Sequence, residues 1–163
     1  MHMSNVISAW VAQAVDALER AVPQDVSLRE VEALTLVSNH PGCSGEWLRA
    51  RLGLSQSGTV RAVDRLQDLG YVVRARSGRV VALRTTAKGE RLLRQWHEAR
   101  SGAIEDLVGG LSGPEQKRLV RLLGRALTRH PRERHEADRA CRTCEWPLCE
   151  PACPVDASVG PDR

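Results

Sequence analysis

Phenylalanine is absent from this 163-residue chain, tyrosine occurs once and tryptophan four times. With aromatics at 3%, the 42% hydrophobic fraction is carried mainly by Leu, Val and Ala, which suits helices better than the faces of a β-sandwich. Long apolar runs are also missing. None approaches the ~18 residues needed to cross a membrane, and "MHMSNVISAW" lacks the charged region, apolar stretch and cleavage site of a secretory signal. The expected location is the cytoplasm, where thiols stay reduced unless they bind metal or do redox chemistry. No paired carboxylates, nucleophile–base pair or phosphate loop is present, so an enzyme is not expected. Lysine is nearly missing: 22 of the 24 basic residues are Arg.

The charge that remains is unevenly spread. The formal balance is +4, yet residues 49–100 hold 12 basic and 4 acidic side chains. Residues 131–163 hold 5 basic and 7 acidic. A basic middle between near-neutral flanks is the footprint of an anionic partner such as DNA.

Apolar residues Val6, Ile7, Trp10, Val11, Ala14, Val15 and Leu18 recur at helical spacing, and Pro23 ends that helix. "SLREVEALTLVSNH" opens with Ser27 and Glu30, the pattern of a capping box. A short helix over "SGEWLRARLG" stops at Gly53. Another starts at Ser55 in "LSQSGTVRAVDRLQDLG", with Val60, Val63, Leu66 and Leu69 on its apolar side. The period then changes. "YVVRARSGRVVAL" is β-branched and split by Ser77-Gly78, which predicts a hairpin. A long helix follows from about Thr86, then another with Leu119, Leu122, Leu123, Ala126 and Leu127 on one side. Periodicity is lost after Cys141. Four segments result: an N-terminal dimerisation helix (1–26), a winged helix-turn-helix (27–86), dimerisation helices (87–130) and a cysteine-rich tail (131–163). The fold class expected is mainly α, with a two-stranded wing, in a helical dimer.

A short helix, a tight turn, a second helix and a basic hairpin make a winged helix-turn-helix, whose second helix enters the major groove N-terminus first. Ser55, Gln56, Ser57, Gly58 and Thr59 form that leading turn. Gln56 is placed to read a base edge, and the hydroxyls of Ser57 and Thr59 to bond bases or phosphates. Ser55 serves equally well as the helix N-cap. Arg61 and Arg65 follow one and two turns on, and Asp64–Arg65 is an alternative local ion pair. Arg74, Arg76 and Arg79 sit in the hairpin, suited to phosphates or a minor groove.

With these residues in place the chain resembles the MarR family of dimeric bacterial transcription regulators, from about Trp10 to Arg129. The resemblance is carried by "LVSNHPGCSGEWLRARLGLSQSGTVRAVDRLQDLGYVVR", "TTAKGERLL" and "LSGPEQKRLVRLLGRAL". The pattern L-G-L-S, V-D-R-L, G, V, R falls on Leu52–Ser55, Val63–Leu66, Gly70, Val72 and Arg74. The resemblance implies a homodimer on double-stranded DNA with a pseudo-palindromic operator, most simply a repressor. The first helix and the last two would interdigitate as the dimer base. Two departures stand out. The wing shrinks to "ARSGRVV" without the usual Asp-Arg pair, and Cys43 occupies a commonly aliphatic position, where a buried inert thiol is expected.

Cys141, Cys144, Cys149 and Cys153 lie within thirteen residues, spaced C-x2-C-x4-C-x3-C and followed by Pro154. A C-x2-C pair points two thiolates at one centre, and the second pair completes a four-thiolate set, so a metal centre is expected. Zinc is one candidate, since C-x2-C-x4 is how a zinc knuckle begins. An iron–sulfur cluster is the other, because bacterial ferredoxin-like runs close on C-x3-C-P as here. A regulator needs an input and an oxidisable cluster supplies one, which tips the choice to iron–sulfur. His130 and His135 read as residues of a polar helix end. The expected function is a DNA-binding regulator whose thiol centre senses redox or iron status. The alternative is a regulator sensing a small aromatic acid, with a structural zinc in the tail.

Overall fold

The computed structural model describes residues 2–77, 80–149 and 151–160. Helix α1 (Met3–Ala21) is followed by α2 (Leu28–Asn39), α3 (Gly45–Leu52) and α4 (Gln56–Asp68). The strands β1 (Val72–Ser77) and β2 (Val80–Thr85) form the wing. Helices α5 (Ala87–Val108), α6 (Gly113–Thr128), α7 (Arg134–Ala140) and the single turn α8 (Trp146–Cys149) complete the order, with a 3-10 turn at Asp156–Ser158. No described helix is long and apolar enough to cross a membrane.

The boundaries follow from local chemistry. Ser27 and Glu30 form the expected capping box: the Ser27 hydroxyl accepts from the Glu30 amide, and the Glu30 carboxylate takes the Ser27 amide at 2.7 Å. Ser44, Ser55 and Thr86 cap α3, α4 and α5 in the same way through their hydroxyls. Helix α3 stops where Gly53 turns left-handed at φ 64°, a conformation glycine adopts without a Cβ penalty. The wing is an antiparallel hairpin in the register Val72↔Thr85 to Ser77↔Val80.

The core lies under α2. Val31, Ala33, Leu34 and Val37 are fully buried there, against Leu48 of α3, Leu66 of α4, Val72 of β1 and Trp96 of α5. One close approach fixes how α5 meets the wing. A Cβ on Gly89 would stand 2.3 Å from the Tyr71 carbonyl oxygen, so only glycine lets the helix sit on the start of β1. Ser38 of α2 and Thr85 of β2 both bond the Glu90 carboxylate of α5.

Two helices are left uncovered. Helix α6 buries no residue, and Val120, Leu122, Leu123 and Leu127 are 38–68% exposed. Helix α1 packs on α5 yet exposes Met3, Val6, Ile7, Trp10, Val11 and Val15. One expectation fails: Val60 is 48% exposed, because α4 buries the stripe of Thr59, Val63 and Leu66 instead.

Replacing Gly89 by Ala should cost about 1–3 kcal/mol, the usual penalty for forcing atoms into a filled site. Urea unfolding of the variant against the parent checks this.

Candidate nucleic-acid interface

Ser55 is the cap of α4: its hydroxyl accepts the Gly58 amide at 3.1 Å and lies 3.2 Å from the Ser57 hydroxyl. Gln56 and Ser57 are exposed beside it, and Gly58 is half-buried. Thr59 departs from expectation. It is 3% exposed and donates to the Ser55 carbonyl at 3.1 Å, so its hydroxyl braces the turn from inside and cannot reach a partner outside. Arg61 is exposed, with no hydrogen bond or ion pair to a described residue.

Arg65 is exposed but engaged. Its guanidinium lies 3.2 Å from Glu30 and donates to the Asp25 carbonyl, also at 3.2 Å, tying α4 back to the start of α2. The expected Asp64–Arg65 alternative does not form. Asp64 pairs instead with Arg74 at 2.5 Å, and Arg74 also donates to Gln67 at 2.9 Å. Arg74 therefore fastens the wing to α4 rather than reaching from the hairpin tip. Arg76 is exposed and carries no such tie; Arg79 lies outside the described residues. Among the described residues, the exposed polar side chains of this face that are not tied to another element include Gln56, Ser57, Arg61 and Arg76. Beside it a cleft of about 370 Å³ runs between α3, α4 and β2, lined by Val60, Val63, Val81 and Leu83 with Arg49 and Arg74 at its edge.

The tail folds back onto the same head. Ala137, Cys141, Cys153 and Val155 form a small core of their own, joined by Cys144, Trp146, Cys149 and Val159. All five cysteines are free thiols. Within the tail Cys141 is hydrogen-bonded with Cys144 and with Cys153, and Cys149 with Cys153. Among the described residues no set of three or more His, Cys, Asp or Glu side chains is already gathered around one point. Bonding to Cys141 draws the Cys144 thiol well below its usual range, and the Arg100 and Arg142 guanidinium groups add to this. The same bond, with burial, pushes Cys141 up. Cys149 is raised chiefly by burial. Cys43 is apart from them, half-buried, and burial lifts it to about 11, as suits an inert thiol.

Ion pairs hold the tail in place. Arg51 of α3 meets Asp138 of α7 at 2.7 Å, with side chains only 12% and 6% exposed. The Arg51 guanidinium also stacks on Trp47, 3.7 Å from the ring centre. Glu32 of α2, buried, receives Arg142 at 2.8 Å and Arg29 at 2.9 Å. Arg100 of α5 donates to the Thr143 carbonyl. At the other end Thr128 of α6 donates to the Pro154 carbonyl at 3.2 Å, and Arg132 bonds the Leu127 carbonyl. The tail therefore bridges head, α5 and α6 of its own chain. Neither Glu32 nor Asp138 was marked by the sequence, since their partners lie 110 and 87 residues away.

This arrangement is a winged helix-turn-helix set between long helices, with a thiol-rich appendage. Residues 24–80 match the MarR family model. No curated protein matches the chain. Among solved structures, a Mycobacterium tuberculosis MarR family protein in complex with DNA is similar at TM-score 0.69 and 20% identity, over 77% of this chain and 98% of that one. The same protein with salicylic acid gives 0.63 and 22%, over 77% and 96%. The oxidized form of Escherichia coli MarR gives 0.67 and 20%, over 78% and 95%. These neighbours are covered almost whole, while the remainder of this chain has no counterpart in them.

Arg51→Ala would strand the Asp138 carboxylate in a buried site. Breaking a buried pair from one side costs about 3–5 kcal/mol. The expected outcome is a lower urea midpoint together with faster proteolytic cleavage around Arg132 and Arg134.

Proposed function

We propose that this chain is a homodimeric, sequence-specific DNA-binding transcription regulator, most simply a repressor, in which α4 enters the major groove. The observation that carries this reading is the exposed N-terminal turn of α4, with Gln56 and Ser57 presented and Arg61 unpaired behind them. The match of residues 24–80 to the MarR family model and the DNA-bound neighbour of the same fold support it. The uncovered apolar faces of α1 and α6 support a second copy as their partner, because exposed contiguous patches of that kind mark association surfaces. Two heads on such a base suit a pseudo-palindrome whose half-sites lie about one helical turn, roughly 34–36 Å, apart. Arg61→Ala should weaken operator binding by about 1–3 kcal/mol where the lost contact reads a base. Titration of the selected operator by fluorescence anisotropy measures it, and parental affinity would remove α4 from the interface.

The tail is read as the sensor. Its four thiols are assigned to one metal centre, zinc or an iron–sulfur cluster, because Cys141, Cys144, Cys149 and Cys153 share a single small core with two guanidinium groups beside Cys144. Binding one ion would require the thiol side chains to turn toward a common point, since no such set is gathered among the described residues. Sulfurs in pairwise contact suit the compact zinc–thiolate tetrahedron, with Zn–S about 2.3 Å; the sequence motif C-x3-C-P favours the cluster. Protein purified without oxygen decides: brown with broad absorption for iron–sulfur, colourless with stoichiometric zinc otherwise. Cys144→Ser or Cys149→Ser should abolish metal binding and change operator affinity, while Cys43→Ser should do neither. Equal operator binding by metal-loaded, metal-free and substituted protein would reduce the centre to a structural clip.

One observation favours a second input. The cleft between α3, α4 and β2 has an apolar wall of Val60, Val63, Val81 and Leu83 and includes Arg49 and Arg74, paired with Glu46 and Asp64, so a small aromatic acid there would take an arginine from its carboxylate partner. It includes Gln56 and Thr59 of the leading turn and Val60 just after it, so a ligand there would compete with DNA. Salicylate titration of operator complexes tests this reading separately from metal removal.

A further inference from the structure

The arginines of the tail are not used alike. Arg134 holds Asp156 at 2.7 Å and Arg142 holds Glu32 at 2.8 Å. Arg139, between them on α7, makes no side-chain hydrogen bond or ion pair with a described residue, and it is exposed. Its position is nonetheless well defined. A Cβ on Gly53 would stand 3.0 Å from the Arg139 Cζ, 3.0 Å from Nη2 and 3.1 Å from Nη1. Three atoms of a planar group at nearly equal distance mean that the guanidinium lies flat over that glycine.

Gly53 is the turn of the helix-turn-helix. It comes two residues before Ser55, the cap of α4, and two residues span at most about 7 Å. A positive charge from the tail, without a partner among the described residues, thus sits at the edge of the leading turn of α4. Nearby carboxylates do not cancel it. Glu32 is taken by Arg29 and Arg142, and Asp138 by Arg51. Arg29 adds a second guanidinium on this side, 3.5 Å from the Leu52 carbonyl.

From this placement we infer that Arg139 is a DNA phosphate contact, so that the cysteine tail is itself part of the nucleic-acid interface. The inference rests on the reading of α4 as the groove-entering helix. A phosphate flanking the groove needs a cationic, unpaired and exposed donor beside the turn, and Arg139 has each property. It stands two residues before Cys141, on a helix that the small thiol core and the Asp138 pair anchor to the head. Order in the thiol unit and the presence of this phosphate contact are therefore one event. A base-reading role is not assigned, because the side chain lies over the turn rather than on the exposed face of α4.

The test uses the full-length chain and a 30-base-pair mixed-sequence duplex, with affinity measured by anisotropy across a potassium chloride series. Each lost phosphate contact lowers the slope of log affinity against log salt by about 0.9. Arg139→Gln should therefore flatten the slope by that amount, or by twice that when both heads of a dimer engage. Arg139→Lys should keep the slope. Thermal unfolding and metal content should match the parent for both variants, since the side chain holds nothing else. A parental slope for Arg139→Gln overturns the inference. The Arg61→Ala, Arg76→Ala double variant separates the two readings. If it flattens the slope while Arg139→Gln does not, the tail contact fails and the interface on α4 stands. If neither changes the slope, the reading of α4 fails and the tail contact falls with it.

Discussion

Glu32 is a carboxylate on the central helix of the head, 3% exposed, and most of what is distinctive in this molecule depends on how it is neutralised. An unpaired carboxylate at that depth would carry a desolvation penalty of several kcal/mol. One guanidinium comes from its own helix, Arg29, and the other from the tail, Arg142. Asp138 presents the same problem in reverse: a tail carboxylate buried against the head, satisfied by Arg51 of α3. Head and tail thus each bury a carboxylate that the other helps to pair. Neither surface is well satisfied alone, which is a reason for the tail to dock on its own head with fixed orientation.

That docking places the thiols. Cys141 follows α7 directly, and α7 is the helix held through Asp138. Cys144 then falls against Arg100 of α5, whose guanidinium takes the adjacent Thr143 carbonyl. The thiol unit consequently touches the head through α2 and α3, the connecting helix through Arg100, and α6 through Pro154 and Thr128. The fold puts the tail between elements of one chain, the head, α5 and α6.

Much of the frame was legible beforehand because its signals are local. The Ser27–Glu30 box, the Gly53 stop, the Ser55 cap and the change of period at Tyr71 each lie within a few residues of what they determine. The β-branched run from Tyr71 to Leu83 marked both strands of the hairpin, which pair in the register Val72↔Thr85 to Ser77↔Val80. What escaped is long-range or depends on rotation about a helix axis. Thr59 was placed outside and Val60 inside, an error of one residue that turns a hydroxyl inward and a methyl pair outward. Arg65 and Arg74 looked free because their partners are brought to them by folding, Glu30 from another helix and Asp64 across to the wing. The four cysteines were visible as a cluster, but their seat on the head rests on pairs 87 and 110 residues apart. No spacing rule reaches that far.

The same pairings change what the charge count means. Residues 49–100 hold 12 basic side chains, yet several are spent internally: Arg49 on Glu46, Arg51 on Asp138, Arg65 on Glu30 and Arg74 on Asp64. A guanidinium already paired releases few counterions when a phosphate approaches, so it adds little to salt-dependent affinity. The exposed pairs are also weak, worth about 0–1 kcal/mol each, and a phosphate competes with them readily. The two classes therefore differ in kind. Arg61 and Arg76 are available at once, Arg65 and Arg74 only after exchange of partners, and Arg51 least of all, because it is the close partner of the buried Asp138 carboxylate, from which Arg134 stands 4.0 Å away. Under the proposed reading, affinity for DNA would rest on the few charges without a partner among the described residues, such as Arg61 and Arg76, while the paired arginines hold the fold that presents them.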